Sequence, residues 1–104
     1  MSYCFVGHTP LSGRYHGPQE LFEKLGPSLS DLKDLKSTFT ELIVDGKRAV
    51  ALMRATAHAA HGPYTQDPAI FVITVEGEKI VDLLEMVDTV MIETQCFGKK
   101  LSAA

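Results

Sequence analysis

Ser37-Thr-Phe-Thr-Glu-Leu-Ile-Val-Asp-Gly-Lys-Arg-Ala-Val-Ala-Leu-Met-Arg-Ala-Thr-Ala-His-Ala-Ala60 decides the fold. Ser37 to Val44 is rich in β-branched and aromatic residues, which suit a pleated, half-buried strand. Asp45-Gly46 is a hairpin turn signal. Arg48 to Ala60 then returns as a long second strand. Downstream, Gly62-Pro63-Tyr64 breaks that strand, Ala69–Val75 forms a third, and Glu76-Gly77 turns it into a fourth, Lys79–Val87. Asp88 caps a last helix over Thr89–Phe97, closed by Gly98. Upstream, Ser2–Val6 is a short strand and Gly7–Gly13 a loop dense in turn residues. Gly17-Pro18 opens a helix whose Leu21, Phe22 and Leu25 make one apolar stripe. Gly26-Pro27 ends it, because proline disfavours helical geometry in the preceding residue, and a second short turn follows over Ser28–Lys33. The order β, α, four hairpin-linked strands, short helix is α+β with a mixed or antiparallel sheet. No glycine-rich phosphate loop follows any strand.

A chain of 104 residues supports one core, so residues 1–104 read as a single domain with a short tail over 99–104. Ten Lys and Arg against thirteen Asp and Glu leave a net charge of −3 with no basic run, which excludes phosphate-backbone recognition and hence nucleic acid as a partner. No apolar run approaches the ~18 residues of a membrane span. Met1–Val6 lacks a secretory signal, so the expected compartment is cytoplasmic and Cys4 and Cys96 read as reduced thiols. No metal is expected: His58 and His61 are three apart, on opposite faces of a strand, and would need His8 or His16 beside one of them. No cofactor is expected either.

Both faces of the last strands are apolar. On Lys79–Val87 one face carries Ile80, Leu84 and Met86, interrupted by Asp82; the other carries Val81, Leu83 and Val87, interrupted by Glu85. A domain of this size covers one sheet face with its own helices, so the outer face predicts a homodimer.

Phe5-Val6-Gly7-His8-Thr9-Pro10-Leu11-Ser12-Gly13-Arg14-Tyr15-His16-Gly17 resembles the strand, loop and helix start of SnoaL-like proteins in the cone-shaped nuclear-transport-factor-like superfamily. His58–Gly62, Glu76–Val81, Glu85–Asp88 and Gln95–Gly98 follow in the family's order and spacing, so the likeness covers about residues 2–98. The resemblance implies a curved mixed sheet wrapped on helices (cystatin-like architecture) around an apolar pocket for a small ligand. Family members usually begin with about two more helices; here the chain starts at the first strand. The resemblance therefore reads as an N-terminally shortened cone, covered by a partner chain, unusually open, or preceded by more chain.

The same likeness places a carboxylate at Glu85, pointing inward with Leu83 and Val87. A carboxyl among apolar neighbours has its charged form disfavoured and suits acid–base work. The competing assignment is a structural ion pair with Arg54. On the long strand Leu52, Arg54, Thr56 and His58 share one face, and Ala51, Met53, Ala55 and Ala57 the other; either set can line the pocket. If the polar set faces in, Arg54 orients a substrate oxygen and His58 moves a proton. Cys4 falls where ketosteroid isomerase carries its base, and Phe71 near that enzyme's acidic donor, so isomerase chemistry of that type is disfavoured. The Arg and two carboxylates of limonene epoxide hydrolase are incomplete, since Thr56 stands at the third position, and the His–Asp dyad of scytalone dehydratase has no clear match. His8 and His16 flank the Pro10–Gly13 loop, with Tyr15 between them, at the pocket mouth, and Tyr64 lies on the opposite loop. The function expected is a SnoaL-like small-molecule protein acting as an acid–base isomerase, cyclase or hydrolase on an apolar oxygenated substrate. The alternative is a non-catalytic ligand-binding or dimerisation module.

Overall fold

A computed structural model describes residues 1–102. Six strands form one mixed sheet, with β1 Ser2–Phe5, β2 Gly13–His16, β3 Lys33–Asp45, β4 Arg48–Ala59, β5 Gly62–Glu76 and β6 Lys79–Met86. Helix α1 spans Gly17–Ser30, and α2, Thr89–Met91, runs on into a single wider turn over Ile92–Cys96. The spatial order is β2-β1-β6-β5-β4-β3, with β1 parallel to β6 and every other pair antiparallel. The sheet curves around α1 and the C-terminal turns, which together with the sheet's concave face enclose the core of Tyr3, Phe5, Tyr15, Leu25, Ala57, Tyr64 and Ile92. The α+β cone read from the sequence is the fold observed.

Three local expectations change. The loop ends at Ser12: Gly13, expected in the loop, and Arg14–His16, for which the sequence predicts no element, form a short edge strand paired with β1 from Ser2–His16 to Phe5–Gly13. Helix α1 does not stop at Gly26-Pro27; it continues through Pro27 to Ser30. Proline inside a helix forfeits one backbone bond, and here the helix runs on past it, with buried Leu25 before it and half-buried Ser28 after it over the concave face. The third strand begins at Gly62, not Ala69, and crosses an irregularity opposite Met53–Ala55, where the Asp67–Pro68 peptide is cis.

The chain's ends are fastened as the sequence suggested. Asp88 Oδ1 accepts hydrogen bonds from the Val90 and Met91 amides at 3.0 and 3.3 Å, an N-cap for α2. Gly98, at φ +69°, closes the last turn. A side chain at Gly98 would collide with the His61 ring, whose atoms lie 2.7–2.8 Å from where a Cβ would stand.

Candidate functional site: a carboxyl in an apolar cavity

Strand register fixes which side chains face inward, since residues paired across strands share a face. Two rows on the concave side run Val44–Ala49–Ile73–Leu83–Tyr3–Tyr15 and Leu42–Ala51–Phe71–Glu85–Phe5. A third brings Phe39 beside Met53 and Ala69, and a fourth Ser37 beside Ala55 and Gln66. The centre of this face is paved with alanines: Ala51 and Ala69 are buried, and Ala55 is half-buried beside them. Small side chains under a curved sheet leave space that α1 does not fill. The result is a cavity of about 180 Å³ beneath Leu25, Leu29 and Leu32.

Glu85 reaches into this cavity between two aromatic neighbours, Phe71 on β5 and Phe5 on β1, which are its register partners. Burial among them pushes its carboxyl up to about 7. The Tyr3 hydroxyl donates to Glu85 Oε1. Among the described residues, no buried side-chain oxygen or nitrogen lacks a hydrogen-bond partner or contact with open space, so the second Glu85 oxygen is not sealed in protein.

A second polar group sits on the same cavity. Gln66 is almost fully buried. Its Oε1 accepts from the Asp88 amide at 2.7 Å, and its Nε2 donates to the Asp88 carbonyl at 3.0 Å and to the Tyr64 hydroxyl at 3.1 Å. Burial pushes the Tyr64 phenol up to about 12, so it stays neutral. Cys96 lines the cavity as well, and burial raises its thiol too.

The SnoaL-like domain model matches residues 3–83. The chain belongs to the SnoaL-like domain family. Solved structures agree on the fold. An NTF2-like protein from Burkholderia thailandensis superposes with a TM-score of 0.79 at 16% identity, over 91% of this chain and 75% of that one. TerC, crystallised with polyporic acid, gives 0.77 at 19% identity, over 90% and 75%. A putative SnoaL-like polyketide cyclase from Jannaschia sp. gives 0.75 at 12% identity, over 95% and 72%. No curated protein gives a match to the sequence.

Within this SnoaL-like cone, the structure brings together only part of the residue set drawn from the sequence. Glu85, Tyr64 and Phe71 line the cavity. Leu83 shares their face but packs with the core one row away, beside Tyr3. Tyr15 is buried behind the cavity, its hydroxyl donating to the Leu11 carbonyl at 2.5 Å, so it supports a lining residue without lining. Arg54 lies on the convex face, because Ala51, Met53 and Ala55 take the inward parity of β4; its guanidinium pairs with Asp67 at 3.3 Å, with both side chains more than half exposed. His58 shares that outward parity and is exposed. Cys4 alternates with inward Tyr3 and Phe5 and so faces outward, in register with Leu84 and Arg14. His8 is exposed on the Gly7–Ser12 loop. The Glu85–Arg54 pair weighed in the sequence is therefore not formed. Among the described residues, no three His, Cys, Asp or Glu side chains converge to hold a metal ion, and no helix is long and apolar enough to cross a membrane.

Sequence reasoning missed Tyr3 and Gln66. Tyr3 carried a partial signal, since it alternates with Phe5 on one face of the first strand, but its place beside Glu85 comes only from the β1–β6 pairing. Gln66 carried almost none: flanked by Thr65 and Asp67, it reads as an ordinary polar loop residue.

Proposed function

We propose that this protein holds a small apolar, oxygenated molecule in the concave cavity and moves a proton on it with Glu85. One observation carries the reading: a carboxyl held near 7 by burial in an otherwise apolar cavity. Such a group is charged often enough to accept a proton and neutral often enough to return it. An engineered 150 Å³ apolar cavity takes up benzene, so about 180 Å³ suits a molecule of one ring or a little more.

The chemistry that fits one proton carrier is isomerisation or carbon-acid activation. Glu85 carboxylate takes a proton from a carbon beside a carbonyl, the electron pair moves onto the carbonyl oxygen, and the neutral acid returns the proton to the same or another carbon. Tyr3 holds the carboxylate in place through Oε1, leaving the second oxygen for the substrate. Hydrolysis of the epoxide-hydrolase type is less well supported, since Arg54 and Asp67 pair on the far side of the sheet.

That same count of ionisable groups favours the second reading, a ligand-binding module without catalysis. The two are separated by α-hydrogen exchange of cyclohexanone in deuterated water, followed by NMR. Acceleration that rises with pH to a plateau above about 7, and falls at least ~100-fold in Glu85→Gln, supports catalysis. Binding of cyclohexanone with no acceleration refutes it and leaves the binding module.

We also propose a homodimer through the convex face. Its central row, Ile43–Val50–Val72–Leu84–Cys4, and the adjacent Leu52–Ile70–Met86 are apolar and partly exposed. A patch of this kind is commonly an interaction surface.

A further inference from the structure

The three tyrosines of this chain use their hydroxyls differently. Tyr3 donates to Glu85, and Tyr15 donates to the Leu11 carbonyl. Tyr64 does neither. Its bonding follows from how Gln66 is held. The Asp88 amide N–H can only donate and the Asp88 carbonyl can only accept, so together they fix which end of the Gln66 side chain is oxygen and which is nitrogen. The end that meets Tyr64 is therefore the NH₂ group, which has no acceptor capacity, and Tyr64 must receive that bond on its oxygen. Its own hydrogen has no protein acceptor among the described residues. Tyr64 is 7% exposed, and it and Gln66, whose amide meets its hydroxyl, both line the cavity that holds Glu85.

From this geometry we infer that Tyr64 is a preset hydrogen-bond donor for the carbonyl or enolate oxygen of the bound molecule, with Gln66 as the residue that sets its direction. The inference rests on the cavity being a ligand site, as proposed above, and assigns the ligand's chemistry: an apolar ring bearing an acceptor oxygen. A site built to donate a hydrogen bond rejects an isostere that lacks the acceptor, because the donor is then left buried and unpaired. A donor aimed at an oxygen where charge develops also stabilises an enolate more than the parent ketone. The high phenol value keeps the donor protonated throughout the range in which Glu85 titrates.

The test compares cyclohexanone with methylenecyclohexane, in which a CH₂ replaces the oxygen. Binding is measured by NMR titration at pH 8, where Glu85 is ionised and cannot itself donate. The wild-type protein is expected to prefer the ketone by roughly three- to tenfold, the worth of one neutral hydrogen bond. Tyr64→Phe is expected to erase that preference while binding the hydrocarbon unchanged. The infrared C=O stretch of bound ¹³C-labelled cyclohexanone reports the same bond directly. It should lie lower in wild type and in Glu85→Gln than in Tyr64→Phe. Equal affinities for the two probes in wild type, or a preference and a carbonyl shift that survive in Tyr64→Phe, would overturn the Tyr64 assignment alone. Failure of both probes to bind wild type would overturn the ligand-site reading and this inference together. Should Tyr64→Phe fail to fold, equal affinities for the two probes or an unshifted carbonyl stretch in wild type still overturn the inference.

Discussion

Replacing Glu85 with glutamine should make the protein more stable, by an amount that grows from about pH 4.5 and is full above about pH 7. The carboxyl sits at about 7 in the folded protein and at the ordinary value of 4.5 when unfolded. Below about pH 4.5 both states are protonated and the neutral acid packs without penalty. Between the two values the folded state keeps its proton and the unfolded state has lost it, so stability falls as pH rises. The slope is roughly 1.4 kcal/mol per pH unit, and over this window the loss reaches at most about 3 kcal/mol, complete once pH passes the folded value. Glutamine has nearly the same shape and never ionises. Urea denaturation of both proteins from pH 4 to pH 8 should give curves that converge near pH 4 and separate to about 3 kcal/mol at pH 8, with the variant ahead. In thermal unfolding that corresponds to roughly 10–20 °C for a domain of this size. Ionisations common to both proteins cancel in the difference. A flat difference, or a wild type that gains on the variant as pH rises, would mean that the carboxylate is stabilised in place. The apolar account of the site would then fail.

Three further outcomes follow from the same geometry. Arg54→Ala should cost less than about 1 kcal/mol in denaturant melts and leave the Glu85 titration, read by carboxyl NMR, where it was, because its pair with Asp67 is exposed and on the other face. Gln66→Leu should cost roughly 2–5 kcal/mol by chemical denaturation, since it orphans both the amide and the carbonyl of Asp88 inside the fold. Val72→Arg, in the middle of the convex apolar row, should yield monomer in sedimentation experiments where wild type yields dimer; a wild type that sediments as monomer refutes the dimer outright.

The fold was legible because its signals are local. Asp45-Gly46 and Glu76-Gly77 mark the turns β3–β4 and β5–β6, and Asp88 announces its own cap. The helix end at Pro27 was misread for the converse reason: Leu25 and Ser28, on either side of the proline, lie over the cavity, a placement with no trace in the flanking residues. The site was half legible. The family likeness singled out Glu85, on a strand face with Leu83 and Val87, and the structure has it lining the cavity. The parity of β4 was not legible, since Arg54 and Met53 each make a plausible inward residue until the pairing with β5 is known. The pairing of Tyr3 with Glu85 depends on a parallel contact between the first strand and the last, which no short-range pattern encodes.

That parallel contact also sets an order of events during synthesis. Tyr3 and the carboxyl it holds are 82 positions apart, so at a ribosomal pace of about 5–20 residues per second the first strand is exposed for roughly 4–16 s before its inner neighbour exists. Until then β1 can pair only with β2, as a two-stranded ribbon too small to be stable alone. The Tyr3–Glu85 hydrogen bond is thus among the last features to form. A chain stalled before residue 85 would have built the β3–β4 hairpin and most of the cavity floor while holding an apolar, unpaired first strand, which is a site for chaperone capture or misassociation.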